Sequence, residues 1–418
     1  MNRTLYSLVG YLLLPVMILR LIIKGIKSPL YSKRISERLG IIDTIPVPII
    51  WLHCVSVGEF RASITLIDKL IKKYPEHKIL ITTTTPTGSK ALTDHYQNQV
   101  LHLYFPFDLE FVVNKYIKKI NPEVCILLET EIWPNLIHIL NKNNIPTLLI
   151  NARLSAKSLA KYQKLAPDLA KQTLNKLTLI ATQNQNSAER FIELGANKSK
   201  VKNTGNIKFD QNPKTDKVAS KEIKKIIGKR RVVAFASTHK GEEEKIINSY
   251  LKYSNIDALL VIIPRHPERF NEVYKLAKNK DINIIKRSSN KTAEDAQILL
   301  GDSMGEMMSY FDIADIVFMG GSLNNTGGHN MLEPAALAKP IIFGPNIFNF
   351  TEISADLLNK KASIQVQNAD ELFKEIVKLL DNDRKVRTLG ENANQYFKSK
   401  QGAVKNIIDI IDKNLEKM

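Results

Sequence analysis

From Ile49 onward the chain alternates short, near-continuous apolar runs with stretches whose apolar positions recur at helical spacing. The runs at 49–53, 78–85, 100–105, 123–129, 146–152, 177–182 and 201–206 predict strands, with helical stretches such as 112–120 and 186–194 between them. Unbroken Val/Ile/Leu runs, rather than alternating ones, indicate strands covered on both faces and hence a parallel sheet. The segment 209–230 is polar and lysine-rich and reads as a linker plus one helix. A second series follows, with strands expected at 231–238, 258–266, 282–288, 296–302, 315–321, 340–344 and 362–367, and an amphipathic helical tail beyond about 368. The expected class is α/β: two Rossmann-like domains facing across a cleft. The boundaries are an N-terminal anchor at 1–25, a first domain at 26–210, a linker at 211–228, a second domain at 229–395 and a C-terminal helix at 396–418. A chain of 418 residues exceeds what one core holds, which also favours two domains.

The N-terminus adds a different element. Leu5 to Leu19 carries no charge, Arg20 interrupts, and Leu21 to Ile23 continue the run. That approaches the roughly 20 residues needed to span a bilayer. Lys24, Lys27, Lys33, Arg34 and Arg38 follow, placing the rest of the chain on the cytoplasmic side of the membrane. With no small-residue cleavage pattern after the run, an uncleaved anchor is favoured over a removed signal peptide or an interfacial helix. The net charge of +18 points to an anionic partner: nucleic acid, a membrane surface or a phosphorylated substrate. A generally lysine-rich composition would give the same number. Cys54 and Cys125 lie far apart in apolar strands and support neither a disulfide framework nor a zinc site.

Candidate chemistry gathers where strands end, the edge at which open α/β sheets hold ligands. "WLHCVSVGEF" (51–60) closes a strand with a Ser-Val-Gly-Glu loop, so Glu59 falls at a helix start, where the helix dipole alone would favour an acid. "LLETEIWPNLI" (127–137) ends a strand on Glu129 and Glu131, acids that need partners if buried. "TGNIKFD" (204–210) puts Lys208 at the end of the first domain's last strand. In the second half Pro264, Arg265 and His266 end a strand, and arginine is the natural reader of phosphate. Gly305, Glu306 and Met307 form a loop–helix junction. "MGGSLNNTGGHNMLEPA" (319–335) has a glycine-rich turn and a helix expected from Asn330, a phosphate cradle with Glu333 placed to reach a ribose diol. "TTTTPTGSK" (82–90) lacks the first glycine of a phosphate-binding P-loop, and there is no G-x-G-x-x-G, H-E-x-x-H or Cys/His metal cluster.

These features resemble the GT-B glycosyltransferases and, more narrowly, the membrane-anchored Kdo (3-deoxy-D-manno-octulosonic acid) transferases of lipopolysaccharide assembly. The segments that carry the resemblance are "SVGE" (56–59), "TTTTPTG" (82–88), "LETEIWPN" (128–135), "NARLS" (151–155), "TGNIKFD" (204–210), "PRHPER" (264–269), "GDSMGEM" (301–307) and "GGHNMLEPA" (327–335). They follow the family's order over almost the whole chain; the one departure is Cys54, where a small residue is expected. The resemblance implies an inverting, metal-independent enzyme that uses no cofactor and moves Kdo from CMP-Kdo to a lipid A precursor (lipid IV-A) at the inner membrane. It implies Glu59 as the catalytic base, and Glu129 and Lys208 as stabilisers of the transition state. It implies CMP contacts at Pro264 and Arg265, at Gly305, Glu306 and Met307, and at Asn330, Met331, Leu332 and Glu333. The expected partners are the donor, the lipid acceptor and the membrane, not nucleic acid; no oligomeric state is implied. Two alternatives stand beside this reading: a GT-B transferase or epimerase with a UDP- or CDP-linked donor, and a membrane-tethered basic binding module.

Overall fold

The apolar runs fold as parallel strands in two separate sheets of seven. A computed structural model describes residues 2–211, 213, 215–253 and 256–416. The chain divides into two compact units, Met1–Gln211 with Lys400–Met418, and Asn212–Ser399.

In the first unit the strands are β1 (Ile49–His53), β2 (Lys78–Thr83), β3 (Leu101–Tyr104), β4 (Pro122–Leu128), β5 (Thr147–Ala152), β6 (Leu179–Thr182) and β7 (Val201–Asn203). Their order is β3-β2-β1-β4-β5-β6-β7, all parallel. Alternate residues serve opposite faces. Ile49, Trp51, Cys125 and Leu127 enter one apolar cluster, while Ile50, Leu52, Val124 and Ile126 enter the other. Both faces are covered by helices, which is why the sequence shows runs instead of alternation. The strand order reverses between β1 and β4, and there the two flanking loops leave the sheet on opposite sides.

The second unit repeats the plan with β8 (Val232–Thr238), β9 (Leu259–Pro264), β10 (Ile284–Lys286), β11 (Ile298–Leu300), β12 (Ile316–Met319), β13 (Ile341–Phe343) and β14 (Ser363–Gln365). The order is β10-β11-β9-β8-β12-β13-β14, reversing between β8 and β12. The helix expected within the lysine-rich stretch is Lys217–Ile227, capped by Asp216 and packed through Ile223, Ile226 and Ile227. Its apolar residues at helical spacing make it part of this unit.

The tail expected as one helix from 396 is divided. One helix, Asp383–Ser399, closes the second unit, and another, Ala403–Leu415, belongs to the first. Val404, Ile407 and Ile411 enter the cluster on one face of the β1–β7 sheet. The carboxylate of Asp210, just beyond Lys208, accepts from the N–H groups of Gly402 (2.7 Å) and Val404 (2.6 Å). The last helix therefore clamps the loop that carries Lys208. Asp210→Ala removes both acceptors and is expected to destabilise the first unit by about 1–3 kcal/mol. Chemical denaturation, with hydrogen exchange over 400–416, checks this.

The N-terminal helix, Arg3–Lys27, is long and apolar enough to cross a membrane by length and composition. Its first turns are tied to the first unit. Arg3 pairs with Glu110 (2.7 Å), the Tyr6 hydroxyl donates to Asp108 (2.9 Å), and the Ser7 hydroxyl donates to Asn135 (2.9 Å). The Tyr11 hydroxyl accepts from the Phe111 N–H (3.1 Å). The shielded positions 3, 6, 7, 10, 14, 17, 18, 21 and 25 share one helix face, while Leu8, Leu12, Val16, Leu19 and Ile23 on the opposite face are exposed.

Candidate active site

The strand-order reversal of the first sheet brings the candidate acids to one edge. Ser56 caps the helix Val57–Lys73, accepting from the Glu59 N–H. The Glu59 side chain turns back: one oxygen accepts from the Val55 N–H (2.8 Å) and the other from the Ser56 hydroxyl (3.2 Å). The Ser-x-x-Glu pattern is a capping box, displaced by one residue from its usual backbone donor. That structural role is real, yet it does not describe the charge. Burial pushes the Glu59 carboxyl up to about 7, the negative charges of Glu129 and Glu131 add to the rise, and the bonds from Val55 and Ser56 oppose it. A carboxylate that is half-buried and poised near neutrality is suited to take a proton.

Glu129 follows β4 with a left-handed backbone, φ +57°. Such a conformation is costly for a side-chain-bearing residue and persists only where neighbours hold it. Here the Glu129 N–H donates to Ile150 O (3.0 Å) and its carbonyl accepts from the Arg153 N–H (3.2 Å). Its carboxylate meets the Lys208 ammonium at 3.5 Å, so two predicted residues separated by three strands of the sheet form one pair. Lys208 sits on the 3-10 turn Ile207–Asp210, whose Ile207 N–H donates to the buried Asn151 side chain (3.2 Å).

Three further groups gather here without having been singled out as a set. The buried His53 ring stacks on Phe105 with 3.8 Å between centroids, its Nδ1 lies 2.9 Å from Thr82 Oγ1, and its Nε2 faces Glu131 at 3.7 Å. Glu131 also accepts from the Trp133 indole N–H (2.7 Å). Asn151, at the end of β5, has φ +49°. The available signal was the polar residue closing each apolar run; their mutual contacts have none.

In the second unit the expected donor residues follow three strands, β11, β9 and β12, with the end of β8 between the last two. Pro264 closes β9, and the Arg265 N–H donates to Thr238 O (3.0 Å) at the end of β8, leaving the Arg265 side chain exposed. Gly305 has φ +88° and open space where a side chain would stand, so the turn after β11 needs glycine for its backbone angle. Glu306 accepts from Arg287 (3.1 Å) and from the Ser303 hydroxyl, and Met307 begins the helix Met307–Ile313. Asn330 donates to Glu333 (3.2 Å) and accepts from the Leu332 N–H (3.2 Å). The helix expected from Asn330 starts at Leu332 and is one short turn, Leu332–Ala336. Met331 and Leu332 are buried.

The glycine-rich loop differs from the cradle expected of it. The N–H groups of Gly327 and Gly328 both donate to Gly321 O, at 3.0 and 2.8 Å. The buried Glu242 carboxylate takes those of Gly321 (2.7 Å), Ser322 (3.0 Å) and Leu323 (2.8 Å), and of His239 (2.9 Å). Glu242 shapes the loop and was missed in the sequence, although "HKGEEE" places acids at a helix start much as "SVGE" does. Among the described residues no group of three or more His, Cys, Asp or Glu side chains is arranged to hold a metal ion.

The Glu59 titration can be tested directly. Glu129→Gln removes a repelling charge and is expected to lower the Glu59 midpoint from about 7, read by carboxyl carbon NMR. Because folding raises this pKa above the free value, the folded state holds more protons between the two. The Glu59 contribution to stability therefore falls as pH rises toward 7.

Comparison with known proteins places these sites in a context. The family model for 3-Deoxy-D-manno-octulosonic-acid transferase (kdotransferase) matches residues 33–211, and that for group 1 glycosyl transferases matches 247–396. A 3-deoxy-D-manno-octulosonic acid transferase of Haemophilus influenzae is 38% identical over 100% of both chains. One from Rickettsia bellii is 32% identical over 98% of this chain and 99% of its own. Among solved structures, UDP-GlcNAc 2-epimerase from Neisseria meningitidis bound to UDP-GlcNAc aligns with a TM-score of 0.58 at 14% identity, over 88% of this chain and 100% of that one. That last likeness bears on the fold alone.

Proposed function

The chain belongs to the 3-deoxy-D-manno-octulosonic acid (Kdo) transferase family, and from that premise we propose that it moves Kdo from CMP-Kdo to a lipid A precursor, inverting the anomeric centre without a metal ion. It is a glycosyltransferase of GT-B-like α/β fold. The observation that carries the finer reading is the state of Glu59: a carboxyl at the strand-order reversal, raised to about 7 and flanked by the Glu129–Lys208 pair.

In this reading Glu59 takes the proton of the acceptor hydroxyl as that oxygen attacks the anomeric carbon. The capping bonds fix its position, so little reorganisation is needed when the charge forms. Lys208, held by Glu129 on one side and by the Asp210 clamp beneath it, offers a cation to developing negative charge. In the second unit Arg265 and the loop ends after β11 and β12 hold the nucleotide. Departure of CMP leaves charge on a phosphate, and cationic side chains there stabilise it. The +18 net charge favours an anionic acceptor lying in an anionic membrane surface.

The same proposal covers attachment to the inner membrane. A spanning helix would have to carry Arg3, Tyr6 and Ser7 away from Glu110, Asp108 and Asn135 and across the bilayer. Burial lifts the Asp108 carboxyl to about 6 while bonds from the Asn135 and Leu136 N–H groups and the Tyr6 hydroxyl hold it down, so losing Tyr6 removes a useful donor. The shielded stripe facing the protein and the apolar stripe facing away favour a helix lying in the cytoplasmic leaflet, its exposed leucines in lipid and its N-terminus on the same side as the first unit. Arg20, Lys24 and Lys33 then meet the headgroups.

Two experiments test these statements. Purified protein with CMP-Kdo and a tetra-acylated lipid A precursor should yield a Kdo-bearing product by mass spectrometry, and Glu59→Gln should lose roughly 10²–10⁴-fold in rate. Turnover on a UDP-sugar instead would refute the donor. For the membrane, Asn2→Cys should resist an impermeant maleimide in intact spheroplasts and react after lysis. The native Cys54 and Cys125 are buried and contribute little background. Labelling before lysis would mean that the helix spans.

A further inference from the structure

Two imidazoles meet at the strand-order reversal of the second sheet. His239 follows β8, and His329 lies in the loop after β12, the strand beside it. Their Nε2 atoms are 2.7 Å apart, and the rings lie parallel within 5° with centroids 5.0 Å apart. At that separation one nitrogen donates a proton and the other accepts it. Two imidazolium rings would set N–H against N–H, so the pair as it stands is not doubly charged.

The surroundings are short of negative charge. His266 packs edge-on to His239 with 5.3 Å between centroids, and Arg265 and Arg269 add positive field. The nearby carboxylates are already committed. Glu242 is spent on four backbone N–H groups, Glu243 pairs with Arg269 at 3.1 Å, and Glu268 faces His266 at 3.9 Å. Burial first, then these cationic neighbours, hold both imidazoles below the ordinary histidine value, His329 at about 4. Gly321 makes room for the arrangement: a Cβ there would stand 3.1 Å from the His329 ring. The main-chain donors of Gly321–Leu323 and of Gly327 and Gly328 are already used, so the side chains at this edge remain to meet an anion.

We propose that the His239–His329 pair is a proton-coupled oxyanion site that takes up a proton when the phosphate of the sugar nucleotide binds beside it. The inference rests on the donor reading given above and adds a role to two residues outside the expected nucleotide contacts. A phosphate supplies the missing negative charge and favours imidazolium. The ring that gains the proton then donates to a phosphate oxygen in place of its partner. The sign follows: uptake occurs between the free and the bound pKa of the pair, and the affinity for the nucleotide falls as pH rises through that interval.

The test is titration calorimetry near pH 7 on the full-length protein in detergent, in two buffers of different ionisation enthalpy. The probes are CMP and sulfate, an oxyanion that does not titrate at this pH. The wild type should take up protons with both. His239→Gln and His329→Gln should each take up about one proton fewer, and CMP affinity should lose its pH dependence. Should a variant fail the circular dichroism check for folding, the imidazole Cε1–H signals of the wild type, followed during CMP addition, report the same step. Binding of CMP with no uptake, or with uptake unchanged in folded variants, overturns the pair and leaves the donor reading standing. Uptake with sulfate but no binding of CMP supports the pair and overturns the donor reading.

Discussion

A parallel sheet covered on both faces leaves polar side chains one place to gather, the carboxyl edge of its strands. Interior residues of β1, β4, β8 and β12 are apolar because any other choice would bury an unpaired polar group. The edge is free of that constraint, most of all where the strand order reverses. Both units place a glutamate there, at the start of the helix after their first strand. Glu242 accepts from four backbone N–H groups and is fully buried, so nothing of it remains for a substrate. Glu59 accepts from one N–H and one hydroxyl and stays half-exposed. One local device thus yields a loop brace in one unit and a titratable carboxylate in the other, and the number of main-chain donors decides which.

The strands were legible because full burial makes a run, and a run survives without knowledge of its neighbours. Glu59 and Glu129 were legible for the same reason: each follows such a run, whereas Lys208 follows a short, mostly exposed strand. The Glu129–Lys208 contact was not legible, because it joins positions far apart in sequence and no local pattern encodes the strand order. Asp210 and the last helix are a sharper case. The apolar spacing of 403–415 predicts a helix, but which sheet it covers depends on Gly402 and Val404 meeting Asp210. The glycine-rich loop misled in the opposite way. Its composition suggested free N–H groups, and the acid that occupies them stands about eighty residues earlier.

The backbone of Glu129 shows which forces set the geometry of the first site. A left-handed residue with a side chain costs on the order of 1–2 kcal/mol. The contact with Lys208 is partly exposed and 3.5 Å long, and such pairs contribute at most about 1 kcal/mol. The ion pair is therefore too weak to impose the strained turn. The main-chain bonds of Glu129 to Ile150 and Arg153 can impose it, since they continue the sheet pairing past the end of β4. The sheet aims the carboxylate, and the lysine answers it. Lys208 in turn is positioned by its own main chain, through Asn151 on one side and the Asp210 clamp on the other. Each partner is thus fixed by the main chain independently of the other, and the geometry of the pair does not rest on the charge between them.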